Sequence, residues 1–333
     1  MILYGAAAVG TAGLCFLVQH YRRYCKKAFA YYLRLLDSEL YDGHIAEMEQ
    51  LAKNSIVEVK NQMESSSLPA EIDVVISGGG FKVCYAGGIV RALQDHGVKV
   101  TRYAGCSAGA QIAFLLATGQ LPSGVRWMHA VADTFQKFPY VRPAPLWDFF
   151  YRRAARLAGS VPEPGTFAVS ITEVVRWLPP VGYNHMIVEF SSVEDVGDAL
   201  MATAGVPLLT GGLLGRRFRG LRVLDGGLTD NCPKFPDAPR PQLVITWDGL
   251  APHWHGRMCG LHFTAVEMRE LVAMGIKDGC RLLQGEDVQG LSLIREPPPS
   301  QDKHARLGAF LVGMQTAYTM RGADVAADSL SGA

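Results

Sequence analysis

Apolar runs and amphipathic stretches alternate along this chain, the rhythm of strands threaded between helices. Residues 72–77 (IDVVIS) are mostly apolar and β-branched without alternation, which predicts a strand covered on both faces. Residues 99–104, 185–190, 221–224 and 242–247 read as further strands. Helical spacing covers 83–96, closed by Gly97 just past its end, and an apolar helix follows Ser107 and stops at Gly119. An aromatic, arginine-bearing segment at 146–158 reads as another helix. Strands separated by helices predict an α/β fold, a three-layer α/β/α sandwich around a mostly parallel central sheet.

The two ends depart from this rhythm. Residues 2–18 run for 17 positions without a charge, about 26 Å as a helix against a bilayer core of about 30 Å. Arg22, Arg23, Lys26 and Lys27 follow at once. A cleavable secretory signal carries its positive charge ahead of its apolar stretch, so this order favours an uncleaved N-terminal hydrophobic helix, with the rest of the chain on the cytosolic side. Tyr21, Tyr24, Tyr31 and Tyr32 suit a headgroup-level belt. The alternative is a core helix capping the domain. Helical pattern continues over 22–64 with a break at Asp42-Gly43, and 64–70 (ESSSLPA) reads as a linker. Near the other end Pro297, Pro298 and Pro299 set off a last helical stretch at 305–320.

Composition narrows the function. Apolar residues make up 49% and charged residues 19% of 333, which excludes a disordered chain. A net charge of +1 argues against a nucleic-acid partner bound through a basic surface. The 7 cysteines never stand in C-x-x-C spacing, which argues against a zinc site or a disulfide framework and for a reducing compartment. No metal is expected. Glycine is the unusual residue, at 36, and its clusters mark three sites.

The first is Gly78-Gly79-Gly80, between the strand at 72–77 and the helix at 83–96. A strand, a glycine turn and a helix N-terminus present backbone N–H groups to an anion, either a phosphate or an oxyanion formed during reaction. A dinucleotide site would need glycine at Val83 and an acid near Lys99 or Thr101, and has neither. The second is Gly105-Cys106-Ser107-Ala108-Gly109, a G-x-S-x-G between strand and helix, where small neighbours let a sharp turn expose a serine. The third is Asp225-Gly226-Gly227 at a strand end, which can project a carboxylate across the carboxyl end of a neighbouring strand. Taken alone, that fragment also suits an Asp-Gly hairpin turn.

In this order the three fragments resemble the patatin-like phospholipase family, serine lipid acyl hydrolases with a catalytic dyad. The likeness lies in GGG-x-[RK] (Gly78 to Lys82), G-x-S-x-G (Gly105 to Gly109) and D-G-[GA] (Asp225 to Gly227). Softer matches are DALMATAGVP at 198–207, DGGLTDNCP at 225–233 and a helical stretch at 264–283. The departure is Val83, where the family's glycine pattern usually ends in glycine. The resemblance covers 71–248 as a catalytic domain, preceded by a hydrophobic membrane segment (1–21) and a basic helical region with its linker (22–70), and followed by a helical region (249–333).

The resemblance implies Ser107 as nucleophile and Asp225 as its general base. Gly78, Gly79, Gly80, Phe81 and Lys82 would form the oxyanion hole, with Lys82 at its mouth adding charge, and no cofactor would be needed. The implied substrates are carboxylic esters of phospholipids or acylglycerols, at a membrane or lipid-droplet surface. The segment holding Trp147, Phe149, Phe150, Tyr151, Arg152, Arg153 and Arg156 suits an interfacial helix or lid, or else a helix packed on the domain. Two rivals remain: a Ser-Asp-His triad drawing on His253, His255, His262 or His304, and a catalytically silent lipid-binding membrane protein.

Overall fold

The computed structural model describes residues 2–43, 45–46, 49–50, 53–54, 68–138, 143–177, 180–207, 210–211, 215–237, 239–255, 263–295 and 304–306, with the backbone alone for 2–17, 40, 143–144, 176–177, 180, 255 and 304–306. Its elements are α1 (Ile2–Leu36), β1 (Glu71–Ile76), α2 (Val83–Asp95), β2 (Lys99–Cys106), α3 (Ser107–Ala117), α4 (Leu121–Lys137), α5 (Pro143–Ala158), β3 (Phe167–Trp177), β4 (Pro180–Ile187), α6 (Val193–Thr203), β5 (Arg216–Phe218), β6 (Leu221–Asp225), β7 (Gln242–Ile245), α7 (Pro252–His255), α8 (Ala265–Leu283), β8 (Leu291–Ile294) and β9 (His304–Arg306). They form an α/β fold in which helices flank a mixed sheet ordered β5-β6-β3-β2-β1-β7-β8, with β4 and β9 branching from β3. Strands β3, β2, β1 and β7 pair with one another in parallel, while β4 and β6 on β3, β5 on β6, β9 on β4 and β8 on β7 pair antiparallel.

The strand expected at 185–190 is instead β4, running earlier and antiparallel to β3. β3 itself escapes periodicity because its buried positions include Ser170 and Thr172, polar side chains that are satisfied inside by hydrogen bonds to Asn184 and the Asp225 carbonyl. Of the helix expected at 305–320, residues 305–306 belong to β9, and the remainder lies outside the described residues, as do Pro297–Pro299.

Burial on both sides of β1 follows from its alternation. Val74 and Ile76 join Tyr103, Val169, Leu243 and Ile245 in the large cluster shared with the helices. Val75 joins Ala104, Ala168 and Val244 in a smaller one closed by Phe235. Val83, the departure from the family pattern, is buried at the start of α2. The close helix approach comes further along, where Gly88 faces the Val272–Ile276 backbone of α8 and Gly275 of α8 faces the Tyr85 and Ile89 backbone.

α1 is continuous to Leu36, and its break falls at Asp37–Ser38 rather than at Asp42-Gly43. The Ser38 hydroxyl donates to the Leu35 carbonyl at 2.8 Å, drawing off a helix acceptor. Tyr32 does not belong to a headgroup belt. It is fully buried and meets Phe149 of α5 edge-on, while Tyr24 and Tyr31 pack on Phe138. The anchor expectation itself falls on residues whose side chains lie outside the described set; among the described residues no helix is long and apolar enough to cross a membrane. α5 is the packed helix of the two alternatives, since Leu146, Phe150, Tyr151, Ala154 and Ala155 are all buried.

A side chain at Gly275 would collide with backbone, which cannot move aside as a flexible tip can. Gly275→Val is therefore expected to cost about 3 kcal/mol of stability, seen as a lower melting temperature. Gly43→Ala, with nothing within 4 Å of its Cβ, should leave the melt unchanged.

Candidate active site

β2 ends at Cys106 and α3 begins at Ser107, so the chain reverses on one residue. Ser107 takes φ +50°, the left-handed region that a non-glycine residue enters at a cost. Its N–H donates to Thr203 Oγ1 at 2.8 Å, and the Thr203 hydroxyl donates to the Ser170 carbonyl at 2.6 Å. The turn also needs its glycine at 109, where a Cβ would lie 2.5 Å from the Ser77 carbonyl oxygen. Ser107 is left half-buried at the strand end.

Asp225 reaches it by register. β2 pairs with β3 up to Cys106↔Ser170, and β6 pairs with β3 from Ile171↔Asp225 onward. β4 occupies the other edge of β3, so β2 and β6 share one edge end to end, and their last residues meet. β6 runs antiparallel to β3. The Asp225 carboxylate lies near enough to the Ser107 hydroxyl to feel it as a hydrogen-bonding group, and it accepts the Gly227 N–H at 2.9 Å. Its own carbonyl accepts from Thr172 Oγ1 at 2.8 Å.

Asp225 is only 7% exposed. Burial pushes its pKa from 3.8 up to about 6, against the opposing hydrogen bonds from Ser107 and Gly227. Buried Tyr151 of α5 and Cys106 are both held well above their ordinary pKa, mainly by desolvation and partly by the Asp225 charge. These two groups form part of the carboxylate's poorly solvated surroundings.

The glycine turn closes the third side. Gly80 has φ +62° and opens a short 3-10 turn over Gly80–Lys82. The Gly78 N–H is already committed, to Cys106 Sγ at 3.2 Å and to Asn231 Oδ1 at 3.1 Å, which leaves the amides of Gly79, Gly80 and Phe81 as the expected donors. The Gly78 carbonyl accepts from Trp247 Nε1 at 2.5 Å. Lys82 is not at the mouth but buried, and desolvation lowers its pKa. Phe81 stands 5.4 Å from Trp147 and 6.1 Å from Phe263, centroid to centroid, so an aromatic wall flanks the turn.

Ser107, Asp225 and the turn therefore converge. Gly227 supports the carboxylate through its amide, and Gly226 lies tight against the Ser170 backbone. Of the histidines weighed for a triad, His253 is exposed beside Trp254, His255 lies in α7, His304 lies in β9 and His262 is outside the described residues. Sequence reasoning missed Thr203, Trp247 and the role of Asn231. Thr203 stands in DALMATAGVP, and that small-residue helix end was its one signal.

Residues 74–235 match the family model described as Patatin-like phospholipase. The chain is 28% identical over 177 residues to the Homo sapiens protein named "Patatin-like phospholipase domain-containing protein 4", covering 50% of this chain and 68% of that one. It is 30% identical over 171 residues to the Homo sapiens "Omega-hydroxyceramide transacylase", covering 48% and 31%. It is 33% identical over 170 residues to the Mus musculus "1-acylglycerol-3-phosphate O-acyltransferase Pnpla3", covering 47% and 39%. The chain thus spans well under half the length of the last two relatives.

A carboxyl whose pKa rises on folding, here from 3.8 to about 6, holds a proton in the folded chain that the unfolded chain has released between those values. Stability from this group is present below pH 4 and is lost as pH rises through 6, about 2 kcal/mol between pH 4 and pH 8. Asp225→Asn removes that loss. Its unfolding free energy relative to the parent should grow by about this amount from pH 4 to pH 8; parallel stability curves would contradict the burial argument.

Proposed function

We propose, from the premise that this chain carries a patatin-like phospholipase domain at residues 74–235, that it is a lipid acyl hydrolase using Ser107 and Asp225. The observation that carries the reading is the register that brings Ser107 to a desolvated carboxylate beside a glycine turn. Serine is a weak nucleophile at neutral pH without a base in contact with it. A carboxylate with a pKa near 6 is a better proton acceptor than an ordinary one, yet is ionised at pH 7.

In this reading Ser107 Oγ attacks the ester carbonyl and passes its proton to Asp225. The tetrahedral oxyanion is held by the amides of Gly79, Gly80 and Phe81, each donor contributing about 3–4 kcal/mol to the rate. Collapse expels the alcohol, which takes the proton back from Asp225, and leaves an acyl-Ser107. Water, activated by Asp225 in the same way, then releases the fatty acid. No metal or cofactor takes part. The acyltransferase and transacylase names among the relatives fit the same intermediate with an alcohol in place of water.

The substrates we infer are carboxylic esters of phospholipids or acylglycerols at a membrane or lipid-droplet surface, with the catalytic domain facing the cytosol. The aromatic wall of Phe81, Trp147 and Phe263 supports an apolar substrate. Arg22, Arg23, Lys26 and Lys27 support a lipid surface, because they are exposed beside the uncharged segment and no described carboxylate pairs with them.

Hydrolysis of a chromogenic acyl ester and of dispersed phospholipid and triacylglycerol tests the reading. Ser107→Ala and Asp225→Asn should each lower kcat by at least about 1,000-fold. In the parent, kcat/KM should rise with pH through a midpoint near 6, as Asp225 loses its proton. Activity that survives Asp225→Asn would sink the dyad, and its loss in a His262 variant instead would restore the triad.

A further inference from the structure

Trp247, the second residue past β7, does something the motifs do not announce. β1 and β7 run parallel in register, Ile76 opposite Ile245, and the Ser77 N–H continues the ladder onto the Ile245 carbonyl at 3.0 Å. Two residues further on, Gly78 stands beside Trp247. The indole Nε1–H donates to the Gly78 carbonyl at 2.5 Å, and the ring lies so close to Gly79 that a Cβ there would fall 2.6 Å from Trp247 Cε2.

Peptide geometry turns that contact into a constraint on its neighbour. The Gly78 C=O and the Gly79 N–H belong to one planar trans peptide and point in opposite directions. Fixing the carbonyl on Trp247 therefore aims the Gly79 N–H away from the indole. A peptide between two glycines has no Cβ on either side to resist rotation, so left alone it can flip. The peptide before it is held independently, because the Gly78 N–H is shared by Cys106 Sγ and Asn231 Oδ1. Ser107 lies against the same turn, its Cβ 2.9 Å from where a Gly78 Cβ would be.

We infer that Trp247 is a positioning residue for acyl transfer, locking the Gly78–Gly79 peptide so that the Gly79 N–H stays aimed at the oxyanion. This rests on the reading of Ser107 as the nucleophile. Trp247 touches no reacting atom. It acts through the donor it orients, and it is 8% exposed, so its hydrogen bond meets little competition from water.

The test is kinetic. Trp247→Phe keeps a ring against Gly79 and removes the donor, and replacing the indole N–H by sulfur (benzothienylalanine at 247) removes it with shape unchanged. Both should lower kcat on a soluble acyl ester by about 10- to 100-fold, the effect of weakening one preorganised oxyanion donor. KM should stay within about twofold and the pH midpoint should not move, because Asp225 is untouched. A kcat within twofold of the parent in the folded sulfur variant overturns the inference. So does a fall in kcat accompanied by a shifted pH midpoint, which marks general damage to the site. A parent protein without esterase activity sinks the hydrolase reading and this role together, whereas an active parent with an unaffected variant sinks this role alone.

Discussion

The site depends on one strand edge being shared. β3 is 11 residues long and β2 pairs with only its first part, through Cys106↔Ser170. β6 takes over at Ile171↔Asp225, coming from the opposite direction along the same edge. Two strands that never pair with each other therefore end face to face, one followed by Ser107 and the other finishing in Asp225. Thr203 pins the junction by linking the Ser107 amide to the Ser170 carbonyl. The Thr172 hydroxyl holds the Asp225 carbonyl from the same strand. The meeting of Ser107 and Asp225 is a consequence of register, set by the backbone ladders of three strands.

What meets there is costly to hold. Ser107 is strained at φ +50°, and Asp225 keeps its charge in surroundings that favour its neutral form. Such features persist only where neighbouring structure over-determines them. Around this site the supports are concrete: backbone pressed into glycine positions 109 and 226, an aromatic cluster from α5, and the α2–α8 contact in which Gly88 and Gly275 let helix backbones touch. The glycine turn follows the same logic, with Gly78 tied through both its amide and its carbonyl.

Much of this was legible in the amino-acid sequence, and what was not has physical reasons. The three glycine-marked fragments could be read because a nucleophile turn, an amide-rich turn and a strand-end aspartate each demand small residues at fixed offsets. β3 was not, because Ser170 and Thr172, buried on Asn184 Oδ1 and the Asp225 carbonyl, interrupt its apolar run. Its absence from the reading also hid the antiparallel approach of β6. Asn231 was visible as a loop residue, but its contact with Gly78 spans 153 positions that only the fold brings together. Trp247 looked like the end of a hydrophobic strand, and its indole N–H had no visible partner until β1 and β7 were paired. Tyr32 of α1 misled for a related reason: an amphipathic face reads alike whether a lipid or a protein core covers it.

Activation of Ser107 by Asp225 is addressed directly by intact-mass and peptide mass spectrometry after treatment with a fluorophosphonate, because the reagent marks an activated serine whatever the natural ester. A single adduct on Ser107 is expected, forming faster as pH rises through about 6 and slowed strongly by Asp225→Asn. An adduct elsewhere, or labelling of Ser107 that is indifferent to pH and to Asp225→Asn, would contradict it.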